Sequence, residues 1–403
     1  MGRSVLLLAT VDTKREAVEY FTETMSKHGI RCRVLDLSLH ADGEVWSGPR
    51  KLQEMSDVAH NTAMLARDAI EAGVVAAVAI GGGTGGEIAL QVMRGLPFAF
   101  PKMLVTTLPF DPRYAVADNA ITIVPSLADV CGLNQALRQV LENAAAMLAG
   151  LCNTATKLSH VSDIQSVGIT ALGATGAAAD ELAHALNDQG HEATVFHANG
   201  FGGAAFARFA RCGTFHTVVD LTCHELTRKH VAGVGVQMPD RFTAARDAGV
   251  PQVILPGGLN FIGLGELALI PEQFRRRGHY QHSGFFTHVQ VTENEMALVA
   301  GKLVEALNPA TAPVTVLVPM GGFSHQDKPG GPIEAPELRD VFWQIISSQL
   351  ESHIELIRLE SHICAPETTT AIMDAVKPHL PTLSGSPSQD TVLQGSKNVR
   401  ENA

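Results

Sequence analysis

The chain has 403 residues, of which 45% are hydrophobic and 18% charged, with a formal net charge of −11. That is the composition of a globular protein long enough for two domains, and its acidic balance argues against general affinity for nucleic acid or an anionic membrane. Cys32, Cys131, Cys152, Cys212, Cys223 and Cys364 form no C-x-x-C pair, which disfavours a zinc cluster or disulfide framework and points to a reducing compartment.

Residues 5–9 are apolar but too short a run for a signal-peptide core. Nowhere is there a stretch of about 18 apolar residues that could span a membrane, so a cytoplasmic protein is expected. Residues 5–10 read as a first strand, followed by a helix over 15–27 that closes at His28-Gly29. A strand over 33–37, a helix over 50–71 ending at Gly73, and a β-branched strand over 74–80 come next. The glycine run Gly81-Gly82-Gly83-Thr84-Gly85-Gly86 then leads into a helix over 87–93. Strands over 102–106 and 120–124 and a helix over 134–148 complete this half, and the polar stretch 153–163 reads as a linker.

The second half repeats the alternation. A strand over 166–171 meets Gly173-Ala174-Thr175-Gly176, a helix covers 178–189, and a strand covers 193–196. His197-Ala198-Asn199-Gly200-Phe201-Gly202-Gly203 is a glycine-rich turn before another helix, and strands follow over 218–221, 252–255 and 314–318. The prediction is an α/β protein with two doubly wound Rossmann-like domains and parallel sheets, over 1–155 and 164–380. The tail 382–403, rich in Ser, Gly, Gln and Asn, reads as disordered.

Ligands of open α/β sheets bind beyond the carboxyl ends of the strands, which gathers the candidate residues onto one rim and into a cleft between the domains. A glycine loop between a buried strand and a helix start offers backbone N–H groups to an anion. Gly82, Gly83, Thr84, Gly85 and Gly86 are therefore expected to cradle phosphate, with Thr106 and Thr107 beside them. Asp12, Thr13 and Lys14, where the first strand turns into its helix, could meet phosphate, magnesium or a ribose; the plain alternative is a helix cap.

The loop matches G-x-G-x-x-G, but no acidic residue ends the next strand, so a dinucleotide is disfavoured; Glu87 after Gly86 excludes a Walker A loop. His224-Glu225 lacks the H-E-x-x-H spacing because position 228 is Arg. His279, His282 and His288 cluster in sequence but read as hydrogen-bonding or surface histidines, so no metal set is expected. The polar loop around Ser324, His325 and Asp327 follows a buried strand and reads as a functional loop.

Taken together, Thr10-Val11-Asp12-Thr13-Lys14, the glycine loop, Pro125-Ser126-Leu127-Ala128-Asp129-Val130-Cys131-Gly132-Leu133-Asn134, the turn at 195–203 and Asp327-Lys328-Pro329-Gly330 resemble an uncharacterised bacterial and fungal family that includes the N-terminal domain of the tomato mosaic virus resistance protein. The resemblance covers roughly residues 4–380. It implies two Rossmann-like subdomains, a homodimer and ATP bound near the first glycine loop. ATP with Mg2+ is thus the expected ligand. Second-domain candidates for the same cleft are Thr175, Asn199, Gly202, Gly203 and Asp327. An enzyme acting on ATP and an acidic or hydroxylated metabolite, an ATP-stabilised regulatory protein, and a hydrolase or lyase whose loop holds a substrate phosphate or carboxylate all remain open.

Overall fold

Five consecutive residues of β1 (Ser4–Ala9), Val5 to Ala9, are fully buried, and the reason is a sheet covered on both faces. Val5, Leu7 and Ala9 pack with helices α1 (Val11–Lys27) and α4 (Gln135–Thr154). Leu6 and Leu8 pack with α2 (Gly48–Glu71) and α3 (Gly83–Arg94) on the other face. The computed structural model describes residues 2–40, 43–109, 116–154, 166–233 and 238–382. The expected linker from 155 onward and the tail from 383 onward lie outside the described residues.

The chain divides into two compact units. Unit 1 comprises Met1–Ile164, Asn199–Arg208 and Gly235–Arg241; unit 2 comprises Gln165–Ala198, Phe209–Val234 and Phe242–Ala403. Unit 1 holds a parallel sheet of β1, β2 (Arg31–Asp36), β3 (Ala76–Ile80), β4 (Lys102–Thr106) and β5 (Ile121–Pro125), in the order β2-β1-β3-β4-β5. This is the flavodoxin-like form of the doubly wound fold, and the chain reverses direction across the sheet between β1 and β3. Arg208, late in sequence, belongs to this unit and donates to the carbonyls of Asp118 and Leu96 at 3.0 and 3.3 Å.

Unit 2 holds a six-stranded parallel sheet of β6 (Ser166–Ala171), β7 (Ala193–His197), β8 (Phe215–Thr222), β9 (Gln252–Gly257), β13 (Val314–Pro319) and β14 (Glu355–Leu359). Helices α5 (Gly176–Asp188), α6 (Phe201–Arg211), α7 (Glu225–His230), α8 (Glu293–Leu307), α9 (Pro336–Gln349) and α10 (Pro366–Val376) accompany the strands, α6 crossing from unit 1 into unit 2. A small antiparallel sheet of β10 (Phe261–Leu264), β11 (His279–Ser283) and β12 (Phe286–Gln290) completes the unit. None of the described helices is long and apolar enough to cross a membrane.

Two helices begin four residues earlier than predicted, at Val11 and at Gly83. For α1 the caps come from the neighbouring strand: Asp36 Oδ1 accepts from Val11 N at 3.0 Å and Ser38 Oγ from Asp12 N at 3.1 Å. For α3 the glycines permit the early start. A Cβ on Gly81 would lie 2.6 Å from Gly86 N, so only glycine lets the helix begin directly against the strand end.

Candidate functional site

The loops at the ends of β1 and β3 face each other across the switch point, and between them lies a recess of about 400 Å³. Thr10, Asp12, Thr13 and Lys14 line it from one side, and Gly82, Gly83, Thr84 and Gly85 from the other, with Thr107 beside them. All of these belong to unit 1. The recess therefore sits where doubly wound sheets hold their ligands, and the structure brings together the sequence-predicted residues of both loops.

The two helix starts differ in what they leave free. The first amides of α1 are taken, Val11 by Asp36 and Asp12 by Ser38, while Thr13 N donates to Thr10 O at 3.2 Å. Burial pushes the Asp36 carboxyl up, but hydrogen bonds from the Ser38 hydroxyl and the Val11 and Ser38 amides outweigh it and hold it below the usual carboxylate range. At α3, Gly86 N returns to Gly82 O at 2.9 Å, which makes Gly83, Thr84 and Gly85 the turn whose amides have no carbonyl within the helix to bond. Free N–H groups at a helix start, with the positive end of the helix dipole behind them, are donors to which an anion can bond. Gly83 is exposed, and a Cβ placed on it would meet only Pro109 Cγ, at 4.0 Å.

Lys14 is half-buried at a kink in α1 (φ −124°, ψ 16°), and its ammonium donates to Val130 O at 2.5 Å. An ammonium has three donors, so that contact positions Lys14 at the recess without exhausting it. Thr106 and Gly86 do not line the recess; both are buried, and Thr106 Oγ1 accepts from Leu108 N at 3.3 Å. Leu108 itself stands at φ +52°, a strained backbone position for a branched residue, beside Thr107 at the rim.

Leu39, Lys51 and Asp129 also line the recess, and sequence reasoning missed their place there. Lys51 lies in the first turn of a helix that no motif marks, and Asp129 sits in the loop after β5, within a stretch noted only for its resemblance. The strongly perturbed lysine of this unit is elsewhere: Lys102, at the start of β4, is pushed down to about 7 by burial and donates to the Pro97 and Phe98 carbonyls. It lies at the opposite end of the strand from Thr106.

The second-domain candidates do not form one set. Asn199, Gly202 and Gly203 belong to unit 1, at the start of α6, where Asn199 Oδ1 accepts from Phe201 N at 3.2 Å. Thr175 and Asp327 belong to unit 2 and both are fully buried. Thr175 Oγ1 accepts from Leu172 N and shares a 2.7 Å hydrogen bond with Thr222 Oγ1. Asp327 accepts from the Phe323 and Ala335 amides, both at 2.9 Å, and from Arg339 Nη1 at 2.6 Å. Burial pushes Asp327 up to about 6 against the pull of those three donors. Its carboxylate pins the 321–335 loop in place instead of facing a ligand.

Of the cluster His279, His282 and His288, the last is buried, and burial lowers it to about 4. His224, fully enclosed with Nδ1 2.9 Å from Gly258 O, is lowered to about 3 by burial. Both imidazoles are neutral at physiological pH. Among the described residues no group of three or more His, Cys, Asp or Glu is placed to hold a metal ion.

Two family models match the chain: the N-terminal domain of the uncharacterised protein family UPF0261 over residues 44–157, and the C-terminal domain of the same family over residues 165–380. A UPF0261 protein of Clostridium tetani is 29% identical over 353 residues, covering 82% of this chain and 87% of that protein. One from Mesorhizobium japonicum is 31% identical over 302 residues, covering 74% and 75%. The ToMV resistance protein Tm-1 of Solanum lycopersicum is 27% identical over 338 residues, covering 81% of this chain but only 45% of the tomato protein.

Proposed function

The chain belongs to the uncharacterised protein family UPF0261, and we propose that its first unit binds a nucleoside triphosphate, ATP with magnesium, by its phosphates. One observation carries this reading: at the β1–β3 switch point the α1 amides are capped by Asp36 and Ser38, whereas the α3 turn of Gly83, Thr84 and Gly85 opens onto a recess flanked by Lys14 and Lys51. Backbone donors and cations on opposite walls suit a chain of phosphates. Asp12 and Asp129 line the same recess. One or two carboxylates alongside phosphate oxygens are the ordinary surroundings of Mg2+, so these two would hold it, and the ion would neutralise phosphate charge. The reading includes a cytoplasmic homodimer, supported by the family resemblance and, for the compartment, by six cysteines of which none forms a disulfide.

Binding to the folded state stabilises it by about 2.7 kcal/mol at ligand a hundredfold above its dissociation constant, a readable thermal shift. Mg-ATP should raise the melting temperature of the whole chain, and NADH should not. A larger shift with NADH would replace this reading with a dinucleotide site. Phosphate release from Mg-ATP, assayed with and without a metabolite panel, then separates an enzyme from an ATP-stabilised binder.

A further inference from the structure

Arg275, Arg276 and Arg277 follow one another on the way into β11, and two of them are committed. Arg276 Nη2 pairs with Glu272 Oε1 at 2.5 Å, one helical turn back. Arg277 grips Glu295, in the first turn of α8, with Nη1 to Oε2 at 2.7 Å and Nη2 to Oε1 at 3.1 Å. The Arg275 side chain has no hydrogen bond or ion pair among the described residues, and it is the one of the three that lines a recess of about 590 Å³ in unit 2.

Glu266 lines the same recess, and its carboxylate is likewise without a partner among the described residues. One guanidinium and one carboxylate thus face a common space without pairing with each other, which leaves both for a ligand that carries the opposite two charges. His279 and Gln281 also line the recess; as alternate residues of β11 they share one face of the strand. His279 Nδ1 lies 2.9 Å from Arg277 O. A carbonyl only accepts, so Nδ1 carries the proton and Nε2 of the neutral ring is an acceptor. The Gln281 amide offers a donor and an acceptor, as a peptide group does. β11 is the outer strand of its sheet and pairs only with β12, so half of its backbone groups are unpaired by any described strand.

We propose that this recess is a second binding site, one that takes a short unblocked peptide, a di- or tripeptide, by both of its charged ends. The terminal carboxylate goes to Arg275, whose planar fork suits it, and the terminal ammonium to Glu266. The peptide group between them meets Gln281 and the free edge of β11. Two or three extended residues span roughly 7–11 Å, and a volume of about 590 Å³ lies within the range of small-ligand pockets, about 300–1,000 Å³. A ligand with one sign of charge gains from one of the two side chains and is repelled by the other, which disfavours polyphosphates and simple dicarboxylates here. The site stands independently of the nucleotide reading, since every residue named for it belongs to unit 2.

Ligand-observed NMR titration of the full chain tests it, with leucyl-alanine and trialanine as probes, each unblocked, N-acetylated and C-terminally amidated. The unblocked peptides should bind, remain bound in excess ATP, and bind about tenfold more tightly than either blocked form. Arg275→Gln should weaken the unblocked peptides by a similar factor and leave the amidated forms no weaker; Glu266→Gln should do the same for the N-acetylated forms. Both side chains are exposed, so the two variants should melt with the parent protein, and the blocked peptides decide the matter on the parent alone. Binding by neither peptide, displacement by ATP, equal affinity for the blocked forms, variant losses that add to the losses from blocking, or preference for succinate or free leucine would each overturn the proposal.

Discussion

Replacing Gly83 separates ligand binding from folding more cleanly than any other change at the recess. Gly83 is the first residue of α3, exposed, and a Cβ there meets only Pro109 Cγ at 4.0 Å. Alanine exceeds glycine in a helix by about 0.5–1 kcal/mol, so Gly83→Ala should leave the fold unharmed or slightly stabilise it, and Gly83→Val should still fold. A side chain on that turn nevertheless stands where an anion must approach its amides. Losing one charge-assisted hydrogen bond costs about 1.5–3 kcal/mol, which weakens ATP roughly 10- to 100-fold. Gly81→Ala is the opposite control: its Cβ would lie 2.6 Å from Gly86 N and 2.8 Å from Gly85 C, and overpacking of this kind costs about 1–3 kcal/mol of stability. Calorimetric titration with Mg-ATP and thermal unfolding of both variants read the two effects. Parental ATP affinity in a folded Gly83→Val protein would sink the phosphate cradle.

Lys14→Ala should weaken ATP about 10- to 100-fold and adenosine hardly at all, whereas exposed Lys51→Ala should cost only about 0.2–1 kcal/mol and lose that effect in high salt; equal losses of ATP and adenosine in Lys14→Ala would show damage to the fold. Arg339→Met should destabilise the protein by about 3–5 kcal/mol near pH 8 by leaving the Asp327 carboxylate buried and unpaired. Because burial raises the folded pKa of that carboxyl, the variant should recover stability as pH falls below about 6, and denaturant unfolding at pH 8 and 5 checks both statements. His224 and His288, lowered by burial to about 3 and 4 in the fold, contribute stability that is present above the unfolded value of about 6.5 and lost as pH falls. Each adds about 1.4 kcal/mol per pH unit between 6.5 and 4. Asp327 acts with the opposite sign over part of that range, so the test is the difference between parent and His288→Phe, which should show a slope shallower by one proton; parallel curves would refute it.

What the sequence made legible follows from which interactions are local. The strands at β1 and β3 were readable because burial on both faces leaves an unbroken apolar run, and a glycine run after such a strand marks a turn into a helix. The parallel alternation followed from the same pattern. Helix starts were misplaced because the caps on α1 come from Asp36 and Ser38, which lie 25 and 26 residues from their partners, and a local scan sees only Asp12 and Thr13. Lys51 and Asp129 reach the recess only through the strand order, which one sequence does not print. Asp327 stands among the cleft candidates because a polar loop after a buried strand reads as functional. Its partner, Arg339, lies 12 residues on in α9, and that pairing turns an apparent site residue into the anchor of its loop. The same distance effect hid the sheet of β10, β11 and β12, whose strands are short and partly polar. Only the pairing of these strands sets His288 against the Phe261 ring. Local pattern thus gives the glycine turn between a buried strand and its helix, while which side chains stand around the recess is a property of strand order.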